Sequence, residues 1–269
     1  MSVDIGEIVS TGFKRTFKRN GLILVGLMLA VSLFNTVASQ SLFSQIPSLM
    51  TSTGTQMAQA YPLAVGMPVP LALVLQLAGV IASTVIGIGA VRTLVSSETS
   101  NLPKSNFTEN ILMPFLHLLV GGIVYAILVF AALTIPAAPG YILALAGVNT
   151  IGIILAVLGG VVGIGLMLFL MTALFYWNFF VIVEDQNFVN ALQSSWEATE
   201  DRRIKLFVAG FLVVLISLIV GLAFGIPASI ISLVTGSTAL GTVINMTPSA
   251  FTGIFTVAAA SEAYRQITE

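Results

Sequence analysis

The chain has 269 residues, of which 57% are hydrophobic and only 8% charged, with a net charge of −1 and no cysteine. That balance leaves no water-facing surface for a globular domain, which usually carries about 25% charged residues. It also gives no basis for nucleic-acid binding, and it excludes disulfides, thiolate metal sites and cysteine nucleophiles.

The amino terminus opens with an amphipathic stripe, Ile5, Ile8, Val9, Gly12, Phe13 and Phe17, interleaved with Lys14, Arg15, Lys18 and Arg19. The spacing predicts a short helix at a membrane interface. The basic group and the apolar run behind it superficially fit a signal peptide. Asp4 and Glu7 sit early and the run continues towards Phe43, so it reads as an uncleaved first span.

Charge then stops. All 21 charged side chains fall in clusters at 4–19, 92–109, 184–205 and 262–269, and residues 20–91, 110–183 and 206–261 contain none. Charge costs several kcal/mol at the hydrocarbon centre, so each free stretch is a bilayer segment. Each exceeds the roughly 20 residues of one crossing and suits two. The runs are apolar on all sides rather than alternating, which favours helices over a β-barrel.

The first stretch divides into spans at about 21–42 and 70–93, the second at about 111–134 and 149–175, the third at about 205–226 and 242–264. The uncharged loop 43–69 between the first two offers Gln56, Gln59 and Tyr61 to a neutral ligand or neighbour, or forms a short lid helix. Ile135-Pro136-Ala137-Ala138-Pro139-Gly140 punctuates the second stretch. Pro227 and Gly236 mark the break in the third, where 228–241 is apolar enough to be a re-entrant or interfacial piece. Pro248 either begins or kinks the last helix, and Asn245-Met246-Thr247 is an external glycosylation-type triplet.

Polar residues inside the spans are few. Asn35, Gln76 and Asn178 are amides that either line a route or fix neighbouring helices. His117, the single histidine, either relays protons or makes an interhelical hydrogen bond, and the second is preferred. No Cys, His or carboxylate stands near it, so no metal site is assigned, and no cofactor or catalytic residue is either. Gly159 and Gly163 form a small-xxx-small face for another helix of this chain or of a second copy. The run Phe175-Tyr176-Trp177-Asn178-Phe179-Phe180 predicts an aromatic belt at the interface, or a platform for lipid tails or a partner helix.

Phe188, Leu192, Ser195, Trp196 and Thr199 recur at helical spacing before the fifth span, and Pro103 starts a shorter counterpart at 101–110 before the third. The chain therefore reads as one all-α membrane domain of six transmembrane helices in three hairpins, at approximately 1–95, 101–183 and 186–265. Amphipathic interfacial helices head the hairpins. Six crossings put all ten Lys and Arg on one side, so both termini are expected to be cytoplasmic in a multi-pass cell-membrane protein.

Phe179-Phe180-Val181-Ile182-Val183-Glu184-Asp185, followed by Ala191-Leu192-Gln193-Ser194-Ser195-Trp196-Glu197-Ala198-Thr199, resembles a signature of a bacterial and archaeal six-span family. Its members are similar to the membrane domain attached to some glycerophosphoryl diester phosphodiesterases. The signature places an acidic residue after a span, then an Ala-Leu-x-x-Ser-Trp surface helix, then basic residues. Asp201-Arg202-Arg203 stands where the family has a Gly-Arg pair, so its glycine turn is missing. Ala258-Ala259-Ala260-Ser261-Glu262-Ala263-Tyr264-Arg265 resembles the family's last helix. The resemblance implies the six-span architecture and no catalytic residues, since this chain has no separate phosphodiesterase domain.

With no ionisable group expected at mid-membrane, ion-coupled pumping and catalysis recede. The expected function is a non-enzymatic membrane protein that organises or accompanies a membrane protein partner or lipid. The alternative is a transporter or channel for a small neutral or apolar compound. Expected partners are membrane lipids, with a protein partner or self-association beside them.

Overall fold

Peptide groups in hydrocarbon find no water, so charge-free runs must close their hydrogen bonds within themselves, and helices do this in one strand of chain. The computed structural model describes residues 3–45, 61–96 and 98–269. Among these residues every regular element is helical, and six stretches are long and apolar enough to cross a membrane. The protein is an all-α, six-span helical bundle. The surface helix α1 (Ile5–Thr16) precedes a first hairpin of α2 (Arg19–Phe43) and α3 (Val69–Val95). A short α4 (Ser105–Thr108) leads to α5 (Leu112–Thr134), α6 (Ala138–Leu145), α7 (Asn149–Leu174) and α8 (Trp177–Val183). The surface helix α9 (Phe188–Thr199) then precedes α10 (Arg203–Thr235) and α11 (Thr238–Thr268). Contacts gather the chain into two compact units, one holding Asn110–Ala209 with Ala263–Glu269, the other Gly6–Glu109 with Gly210–Glu262.

In the second unit, Leu24 of α2 packs with Ala90 and Leu94 of α3 and with Ile254 and Ala258 of α11. The far end of α2 is sealed by side chains. Gln40 Oε1 accepts from the Leu63 amide at 2.7 Å, Ser41 Oγ accepts from the Val65 amide at 2.8 Å, and Gln45 Nε2 donates to the Met67 carbonyl at 2.7 Å. Proline in the first turn of α3, after Pro68, fits a position whose N–H has no helical partner.

Two expectations about span ends are corrected. The prolines at 135–140 do not end the third span. Pro136 and Pro139 each occupy the first turn of a new helical segment, a 3₁₀ turn at Ile135–Ala137 and then α6, where a missing N–H costs nothing. The chain reverses later, at Gly147, whose φ of +89° side chains disfavour. Nor is 228–241 a re-entrant or interfacial piece. Helix α10 passes Pro227, ends at Thr235 and reverses at Gly236 with φ +66°, and α11 runs on through Pro248. One lost hydrogen bond per proline does not outweigh continuity where no water competes.

Glycine governs the second hairpin. A methyl group on Gly163 would strike the Leu133 carbonyl, one on Gly159 the Pro136 carbonyl, one on Gly140 the Ala156 backbone and one on Gly152 the Ala144 backbone. The Gly159–Gly163 face thus packs on the preceding helix of its own hairpin. Gly160, one residue on, meets nothing within 4 Å. Gly159→Ala should therefore destabilise the protein by about 1–3 kcal/mol through overpacking. Gly160→Ala should be neutral or stabilising by up to about 1 kcal/mol, because alanine is the better helix former. Unfolding in mixed micelles measures both, and equal effects would refute the close approach.

Candidate functional site

In the first unit the site begins at a broken helix. Helix α7 stops at Leu174 and α8 restarts at Trp177, leaving the Ala173 carbonyl and the Tyr176 amide without their usual helical use. Both are met by α9. Ser195 Oγ donates to Ala173 O at 3.0 Å and accepts from Tyr176 N at 3.2 Å, and Thr199 Oγ1 donates to Ala173 O at 3.1 Å. Ala191, Ser195 and Thr199 lie four residues apart, so one fully buried small-residue face makes the dock. Asn187 starts that helix, its Oδ1 accepting from the Val189 and Asn190 amides at 3.1 and 3.0 Å.

A second set of bonds ties the end of α11 to the same turn. The Tyr264 hydroxyl donates to Glu184 Oε1 at 2.5 Å, and its ring stacks on Phe179 and meets Phe180 edge-on, with centroids 5.3 and 5.1 Å away. Gln186 Nε2 donates to Glu184 Oε2 at 2.9 Å, and Ser194 Oγ donates to Gln186 Oε1 at 2.9 Å. Arg202 donates to the Gln266 carbonyl at 2.7 Å. The Arg203 guanidinium lies over the rings of Trp196 and Phe169, 4.3 and 4.9 Å from their centroids.

In the second unit, α1 docks by the same device. Gly12 is pressed on Ala259 of α11, Ile8 and Thr16 are buried, and Thr16 Oγ1 donates back to Gly12 O at 2.8 Å. Phe13 and Phe17 flank the contact, their rings 4.8 Å apart, and reach Phe255 and Phe251 at 6.3 and 5.0 Å. Arg15 donates to the carbonyls of Leu94 and Ser96, and Asn20 Nδ2 to that of Glu98 at 2.8 Å. Those donors consume the carbonyls that the end of α3 leaves over. Asn106 Nδ2 donates to Thr93 Oγ1 at 3.1 Å, and Phe107 covers Gly89, so α4 is a reduced version of the same arrangement. The side chains of Lys14 and Lys18 are exposed, with no hydrogen bond or ion pair to a described residue.

The amides and the imidazole singled out from the sequence are divided between the two units. Asn35 and Gln76 share the first hairpin. Asn35 Nδ2 donates to the Gly79 carbonyl at 3.4 Å, whereas Asn35 Oδ1 and Gln76 Oε1 are buried without a hydrogen-bond partner among the described residues. His117 and Asn178 belong to the other unit. The His117 ring lies 6.4 Å from that of Phe188, a ring contact where an interhelical hydrogen bond was preferred. Asn178 Oδ1 accepts from the Phe179 amide at 3.0 Å. No group of three or more metal-ligating residues occurs among the described residues.

Two further expectations change. The run at 175–180 is not a lipid-facing belt, since Tyr176, Trp177, Phe179 and Phe180 are buried and only Phe175 is widely exposed. The break before α8 turns these rings inward, and Gly121 leaves room for Trp177. The Asn245 triplet lies inside α11 and not in an external loop. Gln56 and Gln59 lie outside the described residues, and Tyr61 is half-buried. What sequence reasoning missed was the acceptor. Ser195 and Thr199 stood in the stripe, but a backbone carbonyl carries no residue signal.

Ser195→Ala leaves the buried Tyr176 N–H without an acceptor and should cost about 1–3 kcal/mol. Hydrogen exchange along α9 should rise with it, while exposed Gln193→Ala should change neither. At the loop after α3, Glu98 accepts from the Ser100 hydroxyl at 2.6 Å and from the Ser100 and Asn101 amides at 2.9 and 3.1 Å. These bonds, the Ser100 hydroxyl first, hold its carboxyl down to about 2. A depressed folded value means the contribution is whole above the ordinary carboxylate range and fades as pH falls towards about 2. Carbon NMR of the Glu98 carboxyl should show no titration near its ordinary value of 4.5, and Ser100→Ala should restore part of it.

No curated protein and no solved structure matches the chain. A family match does cover residues 3–267, nearly the whole of the six-span architecture just described. On that coverage the chain belongs to the family described as Domain of unknown function (DUF7847).

Proposed function

We propose that this protein is a non-enzymatic integral membrane protein that organises the lipid around it, or holds a membrane partner within that lipid. Both termini and the four charged clusters face the cytoplasm in this reading, because every Lys and Arg lies on that side of six crossings. One observation carries it. Phe13 and Phe17 of α1 remain 48% and 51% exposed beside Lys14 and Lys18, which have no protein partner among the described residues. Rings at the acyl boundary with ammonium groups above them suit an anionic leaflet, where each basic residue near the surface contributes about 1 kcal/mol. Because Gly12 seats α1 on Ala259, what binds the surface helix bears directly on α11. The likeness of 179–205 and 256–265 to the membrane domain attached to glycerophosphoryl diester phosphodiesterases also supports a part played among lipids.

A second reading, passage of a small neutral or apolar compound, is favoured by Asn35 Oδ1 and Gln76 Oε1. These buried acceptors in one hairpin have no donor among the described residues. Reconstituted vesicles showing no flux above empty ones would remove it for the solutes tried.

The leading reading is tested by detergent-free extraction of the full chain into lipid nanodiscs, followed by identification of the retained lipids and proteins. The wild type should keep anionic lipid above its share of the membrane. Lys14→Gln with Lys18→Gln should cut that enrichment about thirtyfold, in line with about 2 kcal/mol of lost attraction. A monomer with bulk lipid composition and no retained partner would defeat the proposal.

A further inference from the structure

The second and third hairpins are too long for an ordinary bilayer. Leu112–Leu145 spans 34 residues and α10 spans 33, each about 50 Å at helical rise. The first hairpin is shorter, with 25 residues in α2 and 27 in α3, or about 37–40 Å. A common hydrocarbon layer is about 30 Å thick.

The excess is apolar and uncovered. On α5 and α6 exposed aliphatic or aromatic side chains continue from Leu112 to Ile135, Ile142 and Leu145, the last 90% exposed. On α10 they run from Phe207 to Leu233 and Val234, which are 82% and 81% exposed. Those rows extend about 50 and about 40 Å. Tyr141 on α6 and Ser229 and Ser232 on α10 are the polar side chains within these tips, and beyond them come Asn149 after Gly147 in one hairpin and Thr235 and Ser237 around Gly236 in the other. Tilt alone does not absorb this. Bringing about 50 Å of apolar helix within about 30 Å needs a lean of about 53°, and the row of about 40 Å on α10 needs about 41°, against the ~40° limit seen in membrane helices. Water at the tips is equally costly, since a fully exposed leucine-sized side chain contributes about 1.5–3 kcal/mol on leaving it.

We propose that these two hairpins hold, and select for, a hydrocarbon layer about 40 Å or more thick, so that the lipid gathered by this chain is long-chained. This extends the lipid-organising reading from headgroups to acyl chains. The absence of cysteine makes single-cysteine labelling clean. Leu145→Cys, Val234→Cys and the mid-helix control Ile219→Cys are placed in the full chain and reconstituted in phosphatidylcholine with acyl chains of about 14 to about 24 carbons. A membrane-impermeant maleimide then reports exposure, relative to detergent-solubilised protein. Both tip cysteines should label in the thinnest vesicles and lose labelling by about tenfold in the thickest. Ile219→Cys should stay unlabelled throughout. The thermal midpoint of the unaltered chain should rise towards the longest chains. Tips that label equally at every thickness, or that are protected even in the thinnest bilayer, would overturn the proposal. So would a stability maximum at about 18 carbons. Zwitterionic lipid throughout keeps this outcome independent of the headgroup test.

Discussion

Hydrocarbon offers a peptide group no partner, and most of the local choices in this fold answer that constraint. Where the chain can continue as helix, it does, even through Pro227 and Pro248. Where it must reverse, glycine supplies the backbone angle, at Gly147 and Gly236. Where it breaks inside a span, between α7 and α8, another element has to complete the bonding. Ser195 and Thr199 do so by giving the Ala173 carbonyl two hydroxyl donors and the Tyr176 amide an acceptor. The surface helix α9 is in that sense part of the span it caps.

Close approach is the second requirement, because burial of apolar surface does not drive helices together in a solvent that is itself apolar. Contacts therefore concentrate where a side chain is missing. Gly159 and Gly163 bring α7 against the carbonyls of the preceding segment, and Gly12 brings α1 onto Ala259. Gly89 makes the same allowance for Phe107 and Gly121 for Trp177. The large side chains left over face outward along the spans. This explains why so much leucine, isoleucine and valine is exposed in a stable fold: lipid chains are their solvent.

The surface helices join these two requirements to charge. In α1, cations on one flank close the carbonyl ends of α3 through Arg15, while Lys14 and Lys18 are exposed. In α9 and the turn after it, Arg202 meets a carbonyl of α11 and Arg203 lies over two rings. A lipid-organising role draws on that division of labour. Some basic groups lock the bundle, and others stay exposed.

The sequence by itself determined the class, the six spans and the side on which charge collects, because the cost of charge in hydrocarbon is large and independent of neighbours. It also marked the two surface helices, since a 3.6-residue stripe is a local property. Span ends were less legible. Prolines at 136, 139 and 227 look like stops, and whether a proline stops a helix depends on the position it takes in the turn and on competition from water. The direction of the aromatic run was decided only by tertiary structure. The break at Phe175–Tyr176 turns Trp177, Phe179 and Phe180 inward, against the belt that their composition suggests. The bond from Tyr264 to Glu184 joins residues 80 apart in the chain. No local pattern encodes such a pairing, because it exists only once two distant helices have been packed side by side.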